Sequence, residues 1–246
     1  NVHAPDWQTK VRLQYTLRLA HILAQLLPDG MEGGISTSPL SYRFWFEDAA
    51  IESEAKTKAT ENILNAAAAL YDLKKKTGKF IHLDIEPEPD GLLENGAEFL
   101  DWYNHTLLPA GINYFKKHLD FSAAASEAII KEHVQLCYDV CHFAIGFEDH
   151  KTYLKQLDEA GIKVGKLQIS AALKAILPTD QIAKENVLEA LSQFNEPVYL
   201  HQVVCRTGAG NLLRYRDLPE ALEDENALAS KEWRALFHVP IFNTTY

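Results

Sequence analysis

The chain has 246 residues, of which 47% are hydrophobic and 24% charged, a composition that excludes a mainly disordered chain. Thirty-four acidic against 24 basic residues give a formal charge of −10, which argues against a broad phosphate-binding surface. No apolar run is long enough to span a bilayer, and three cysteines do not make a disulfide framework, so a reducing, cytoplasmic setting is expected.

The elements follow in a regular order. Residues 7–27 read as an amphipathic helix with Val11, Tyr15, Leu19, Ile22 and Leu26 on its apolar face, stopped by Pro28-Asp29-Gly30. Residues 33–39 then read as a short strand ending in a loop. A second helix covers 49–76, with Lys74, Lys75 and Lys76 at its C-terminal end. Residues 80–86 read as a strand and 95–118 as a helix interrupted at Pro109-Ala110-Gly111. The pattern continues with a strand over 134–141, a helix over 150–160 and a strand over 163–170. A helix over 179–194 and strands over 198–206 and 234–242 complete it. Strands alternating with helices imply βαβ units and a parallel sheet.

The strands also alternate internally. Ile81, Leu83 and Ile85 oppose His82, Asp84 and Glu86; Leu136, Tyr138 and Val140 oppose Gln135, Cys137 and Asp139. Leu167 and Ile169 oppose Lys166, Gln168 and Ser170 in the same way. Strands of a doubly wound sheet are apolar on both faces, so one polar face points to a closed (β/α)8 TIM barrel whose polar parity lines the interior and mouth. The competing reading is an antiparallel sheet with one wet face.

Candidate site residues sit at the strand ends. Glu86 lies in Leu83-Asp84-Ile85-Glu86-Pro87-Glu88-Pro89-Asp90-Gly91, where a proline-stiffened turn would hold a metal ligand or general base. Glu88 and Asp90 fit the capping of the next helix better. Asp139 and His142, in Asp139-Val140-Cys141-His142, offer a metal oxygen and an imidazole at the start of a loop. Gln168 and Ser170 suit substrate hydroxyls. His201 and His238 lie on the last two strands, where core packing competes with a site role. Arg206 and Arg234 suit an anionic group, against surface ion pairing as the plainer role. Cys137 and Cys141 lack redox or zinc spacing, and the Rossmann, P-loop and nucleophile-elbow fingerprints are absent.

With these residues in view, the segments 82–91, 136–147 and 165–170 resemble the xylose-isomerase-like TIM-barrel superfamily of sugar isomerases, sugar epimerases and endonuclease IV. The sequence is most similar within it to the EboE-type metabolite traffic proteins of bacterial ebo clusters, with further likeness in 35–42, 198–204 and 237–242. The resemblance implies a divalent metal (Mn, Zn or Mg) at the barrel mouth. It implies Glu86 as metal ligand and acid/base, Asp139 as metal ligand and His142 as a substrate-binding, catalytic imidazole; His238, from its place on the last strand, is taken as a further metal ligand. Gln168 stands where the family has a metal-binding histidine, and Ser170, His201 and Arg206 would contact substrate. The implied activity is sugar-phosphate isomerisation or epimerisation of a small polyhydroxylated or carbonyl metabolite. A non-catalytic barrel that binds a metabolite and hands it to partner proteins of the same gene cluster is the alternative. Phosphodiester cleavage borrows only the fold, and no nucleic-acid partner is expected.

Matched to that superfamily, 35–38 would be about the fourth strand and the Glu86 strand the fifth. The sequence therefore reads as a single partial barrel domain over 1–246, lacking early strands and the final one, with an insertion within 171–242. The non-methionine start, with Met31 the one methionine, agrees with this reading.

Overall fold

The computed structural model of the protein describes residues 3–195 and 200–239, with only the backbone at 238 and 239. The elements run α1 (Lys10–Leu26), β1 (Gly33–Thr37), a 3₁₀ turn (Arg43–Trp45), α2 (Ala49–Thr77), β2 (Ile81–Ile85) and α3 (Gly96–Trp102). A π-helical turn (Tyr103–Leu107), α4 (Leu108–Leu119), α5 (Ala123–His133), β3 (Val134–Asp139), α6 (Val140–Ile145), α7 (His150–Ala160) and β4 (Val164–Gln168) follow. The remainder is β5 (Ala171–Ile176), α8 (Gln181–Ser192), β6 (Val203–Arg206), β7 (Leu212–Tyr215), α9 (Leu218–Glu223), α10 (Glu225–Leu228) and β8 (Glu232–Val239). These elements divide into two compact units: 1–139 with 151–168, and 140–150 with 169–246.

The first unit carries a parallel sheet in the order β1-β2-β3-β4. On β2 the apolar parity behaves as the alternation predicts: Ile81, Leu83 and Ile85 are fully buried, and α2 and α5 pack on it, whereas on β4 Leu167, expected to face helices, is exposed. Burying side chains of this size stabilises the fold by about 1.5–3 kcal/mol each. The other parity is polar and also closed off, with His82, Asp84, Gln135 and Asp139 buried. Local signals set the helix ends. The Asp48 carboxylate accepts hydrogen bonds from the N–H groups of Ala50 and Ile51 to cap α2, which ends on Gly78 in the left-handed conformation.

Two helices differ from expectation. α1 buries Leu13, Thr16 and Ala20, whereas Val11, Tyr15, Ile22 and Leu26 face outward. The buried side of α1 packs on α2 and β1. The long helix over α3 and α4 is disturbed at the π-helical turn rather than broken at Pro109, which occupies the first turn of α4. A widened turn accommodates a residue that has no N–H and crowds the carbonyl four positions back.

The second unit carries an antiparallel sheet in the order β5-β8-β6-β7. One face forms a core of Leu177, Leu191, Val203, Cys205, Leu218, Ala221, Ala227, Trp233, Ala235 and Phe237. The Trp233 indole donates to the Ala227 carbonyl at 3.0 Å, which ties β8 to α10. The other face carries Arg206, Glu232 and Arg234.

The eight-stranded barrel expected from the sequence is therefore not formed. The chain is α/β, with a four-stranded parallel sheet and a separate four-stranded antiparallel one. The βαβ rhythm stops at Gln168: β5 begins three residues later with no intervening helix, and it pairs antiparallel with β8. β6 and β7 form a hairpin through Gly208-Ala209-Gly210. The sheet with one wet face, set aside for the early strands, describes the second unit instead. The 171–242 stretch read as an insertion supplies most of that unit.

Candidate functional site: a carboxylate cluster on the parallel sheet

Parallel pairing brings three expected residues of the first unit together. Asp139 ends β3, Gln168 ends β4, and their Cα atoms are register partners. Glu86 follows β2 directly and is held by its N–H, which donates to the Thr37 carbonyl at 2.9 Å. The Gln168 amide nitrogen donates to the Asp139 carboxylate and lies 3.4 Å from Glu86 Oε1. Lys166, two residues earlier on the same face, donates from Nζ to the Gln168 amide oxygen at 2.9 Å. That contact fixes which end of the amide faces the acids.

Burial, followed by the charge of Asp139, raises the Glu86 carboxyl above the usual range, against an opposing pull from Lys166. Cys137 lies on the same parity. Burial and then the charge of Glu86 push its thiol up to about 12, so it stays protonated and is not a nucleophile at neutral pH.

Glu88 belongs to this cluster, contrary to its reading as a helix cap. Asn95 caps α3, its side chain accepting the Glu98 N–H at 3.0 Å. Glu88 instead sits in a turn where its carbonyl accepts the Gly91 N–H at 3.1 Å and its own N–H donates to Leu93 at 3.2 Å. Burial, then the charges of Glu86, Asp139 and Asp90, push Glu88 up to about 8. His3 Nδ1 lies 3.6 Å from its Oε1. The signal was present in Glu86-Pro87-Glu88-Pro89: prolines keep such a run extended, so residues two apart can share a side.

Further along the polar face, His82 Nδ1 lies 2.6 Å from Asp84 Oδ1. Asp84 is fully buried, and its Oδ2 has no hydrogen-bond partner. Burial raises its carboxyl and outweighs the His82 contact. Two glycines make room for it. A Cβ on Gly34 would stand 2.3 Å from Asp84 Oδ2, and one on Gly165 would stand 2.0 Å from Oδ1. Gly165 is the extra residue of a bulge, because Leu136 pairs with Val164 while Cys137 pairs with Lys166.

The remaining candidates belong to the second unit. His142 is buried on α6, not at the start of a loop, because Val140 already begins a helix. Ser170 lies outside β4, which ends at Gln168, and its Oγ accepts the Cys141 N–H at 3.1 Å. His201 precedes β6 and is buried; its Nδ1 lies 3.1 Å from the Leu236 carbonyl, and its ring stacks on Phe237 at 4.0 Å. Arg206 pairs with Glu232 and lies over the Phe147 ring at 4.7 Å. Arg234 donates to Glu232 at 2.8 Å and to the Ala144 carbonyl at 2.5 Å. The side chain of His238 lies outside the described residues.

No protein-family model matches the chain, and no curated protein matches it. Among the described residues, no helix is long and apolar enough to cross a membrane.

Proposed function

We propose that the first unit acts on a small polyhydroxylated or carbonyl metabolite with the help of a divalent metal, as a sugar isomerase- or epimerase-like protein. The observation that carries the reading is the convergence of Glu86 and Asp139 on the amide of Gln168 at the C-terminal ends of parallel strands. A carboxylate whose proton affinity is raised by burial and by a second carboxylate beside it favours a cation between the two. An all-oxygen donor set suits Mg or Mn better than Zn. Glu86 and Asp139 would hold the ion.

When bound, the metal would polarise neighbouring substrate oxygens and lower the cost of charge developing beside a carbonyl. The protein's own groups would supply the rest. Glu86, a strand-end carboxylate beside the place where the substrate would sit, is suited to take and return a proton. Gln168 would orient a substrate hydroxyl, and Lys166 would hold the amide in place. Glu88, protonated at neutral pH, can donate a hydrogen bond to a substrate oxygen.

The test is metal content and metal-dependent thermal shift in the parent protein and in Glu86→Gln and Asp139→Asn. Loss of bound metal in both variants is expected, and unchanged metal content would overturn the ligand assignment. The hand-over reading, binding without turnover, is favoured by one observation: Gln168 occupies both carboxylates as a hydrogen-bond donor. Turnover of sugar-like ligands that bind in the thermal-shift screen separates the two readings.

A further inference from the structure

The outward face of α1 is built for contact. Val11, Tyr15, Ile22 and Leu26 are between 46% and 73% exposed. They fall on one side of a helix about 25 Å long. Arg18 lies in the middle of this stripe, between Tyr15 and Ile22, so positions 11, 15, 18 and 22 follow the four-three alternation of a helix-pairing seam.

The charge on α1 is as one-sided as its apolar stripe. It carries Lys10, Arg12 and Arg18 and no acidic residue, in a chain whose formal charge is −10. Lys10 donates to the Asn62 side chain at 2.9 Å and Arg12 to the Pro5 carbonyl at 2.7 Å. Among the described residues none of the three cations forms an ion pair.

We propose that α1 is a docking helix for an acidic amphipathic helix of a partner protein. That partner would present apolar side chains to Val11, Tyr15, Ile22 and Leu26 and a carboxylate to Arg18. The central arginine selects among occupants. In a second copy paired antiparallel about the middle of the stripe, Arg18 would meet Arg18, with no acid on either helix to separate them. On an anionic bilayer, the stripe facing the acyl chains would carry Arg18 down between Tyr15 and Ile22, whereas interfacial helices keep their cations on the polar face. A carboxylate across a helix seam satisfies Arg18 and leaves the apolar contacts intact.

The probe is a synthetic helical peptide with leucines along one face, a glutamate at the centre of that face and glutamates on its flanks. Its binding to the whole protein is read by fluorescence anisotropy. Ile22→Asp and Arg18→Glu should each weaken binding at least tenfold while circular dichroism stays unchanged, since both positions are exposed. A peptide with a central lysine and the same glutamate flanks should restore binding to Arg18→Glu, because Lys10 and Arg12 are unchanged. Peptide binding that is absent, or indifferent to both substitutions, overturns the proposal. So does loss on Ile22→Asp of a dimer in ultracentrifugation, or of co-sedimentation with phosphatidylglycerol vesicles, in place of peptide binding.

Discussion

The amide of Gln168 donates to the carboxylate of Asp139 across the β3–β4 pair, where the two residues are register partners. The same nitrogen faces Glu86, whose carboxyl is raised by the charge of Asp139 and drawn down by Lys166, so the amide and the ammonium both temper the repulsion between the two acids.

Replacing Gln168 should expose that repulsion. Gln168→Ala is expected to destabilise the metal-free protein by about 1.5–3 kcal/mol, the worth of a hydrogen bond to a charged group. Adding Glu86→Gln should recover part of the loss, because one of the repelling charges is gone. Denaturant unfolding of the two single variants and the double variant, in chelator, closes a double-mutant cycle. Additive effects would show that Gln168 and Glu86 are not coupled.

Glu88 predicts a pH dependence of the opposite sense to most carboxylates. Its folded value, about 8, lies above its ordinary value of 4.5. The native state then holds a proton that the unfolded chain releases between those limits. The stabilisation from Glu88 is complete below about pH 4.5 and is lost as pH rises toward about 8, with a slope of at most about 1.4 kcal/mol per pH unit for one proton. Stability of the metal-free protein measured across this window should fall less steeply in Glu88→Gln. An identical slope in the variant would remove Glu88 as the source.

Much of the first unit could be read from the sequence, and little of the second. Alternation in 80–86 and 134–141 set which side chains of β2 and β3 share a face, because a strand has a fixed period of two. That placed Glu86, Asp139 and Gln168 on one side before any pairing was known. The barrel failed where periodicity says nothing about partners. Ala171–Ile176 is rich in alanine and carries no strand-like alternation, yet it pairs with β8 some sixty residues later. The glycines at 208 and 210 mark a turn, but which strands flank it depends on long-range pairing. Glu88 was misassigned because a carboxylate near a helix start has a common local role, and only the fold shows that Asn95 already fills it.

Asp84 explains why two particular glycines are needed on the polar face. A methyl group at Gly165 would meet Asp84 Oδ1 at 2.0 Å, with Gln135 Oε1 and His82 Nδ1 each at 2.8 Å. None of these atoms is the end of a freely moving chain: Asp84 is bonded to His82, and Gln135 donates to the Glu132 carbonyl at 2.7 Å. Gly165→Ala and Gly34→Ala should each cost about 1–3 kcal/mol through overpacking. Gly78→Ala is the control, since its position has open space and only a left-handed backbone to strain, at a cost of about 1 kcal/mol. Chemical unfolding ranks the three variants, and a Gly165→Ala protein as stable as Gly78→Ala would contradict the close packing around Asp84.

In the second unit Glu232 predicts the reverse pH behaviour. Burial alone would raise its carboxyl, but hydrogen bonds and charge from Arg234, then Arg206 and Lys174, hold it below the usual range. Its contribution is present above about pH 4.5, its ordinary value, and is lost as pH falls through the lower folded value. Glu232→Gln leaves Arg206 and Arg234 side by side over Phe147 with no counter-charge. Because Arg206 and Lys174 are partly solvated, the expected loss is about 1–3 kcal/mol at pH 7, below that for a fully buried pair. Two compact units can open separately, so the readout must be local. Hydrogen exchange at the β8 amides should be faster in the variant at pH 7. Allowing for the intrinsic pH dependence of exchange, it should approach the parent protein once the pH has fallen through the lowered folded value of Glu232. A difference that persists undiminished to the acid limit of the native state would assign the effect to packing rather than charge.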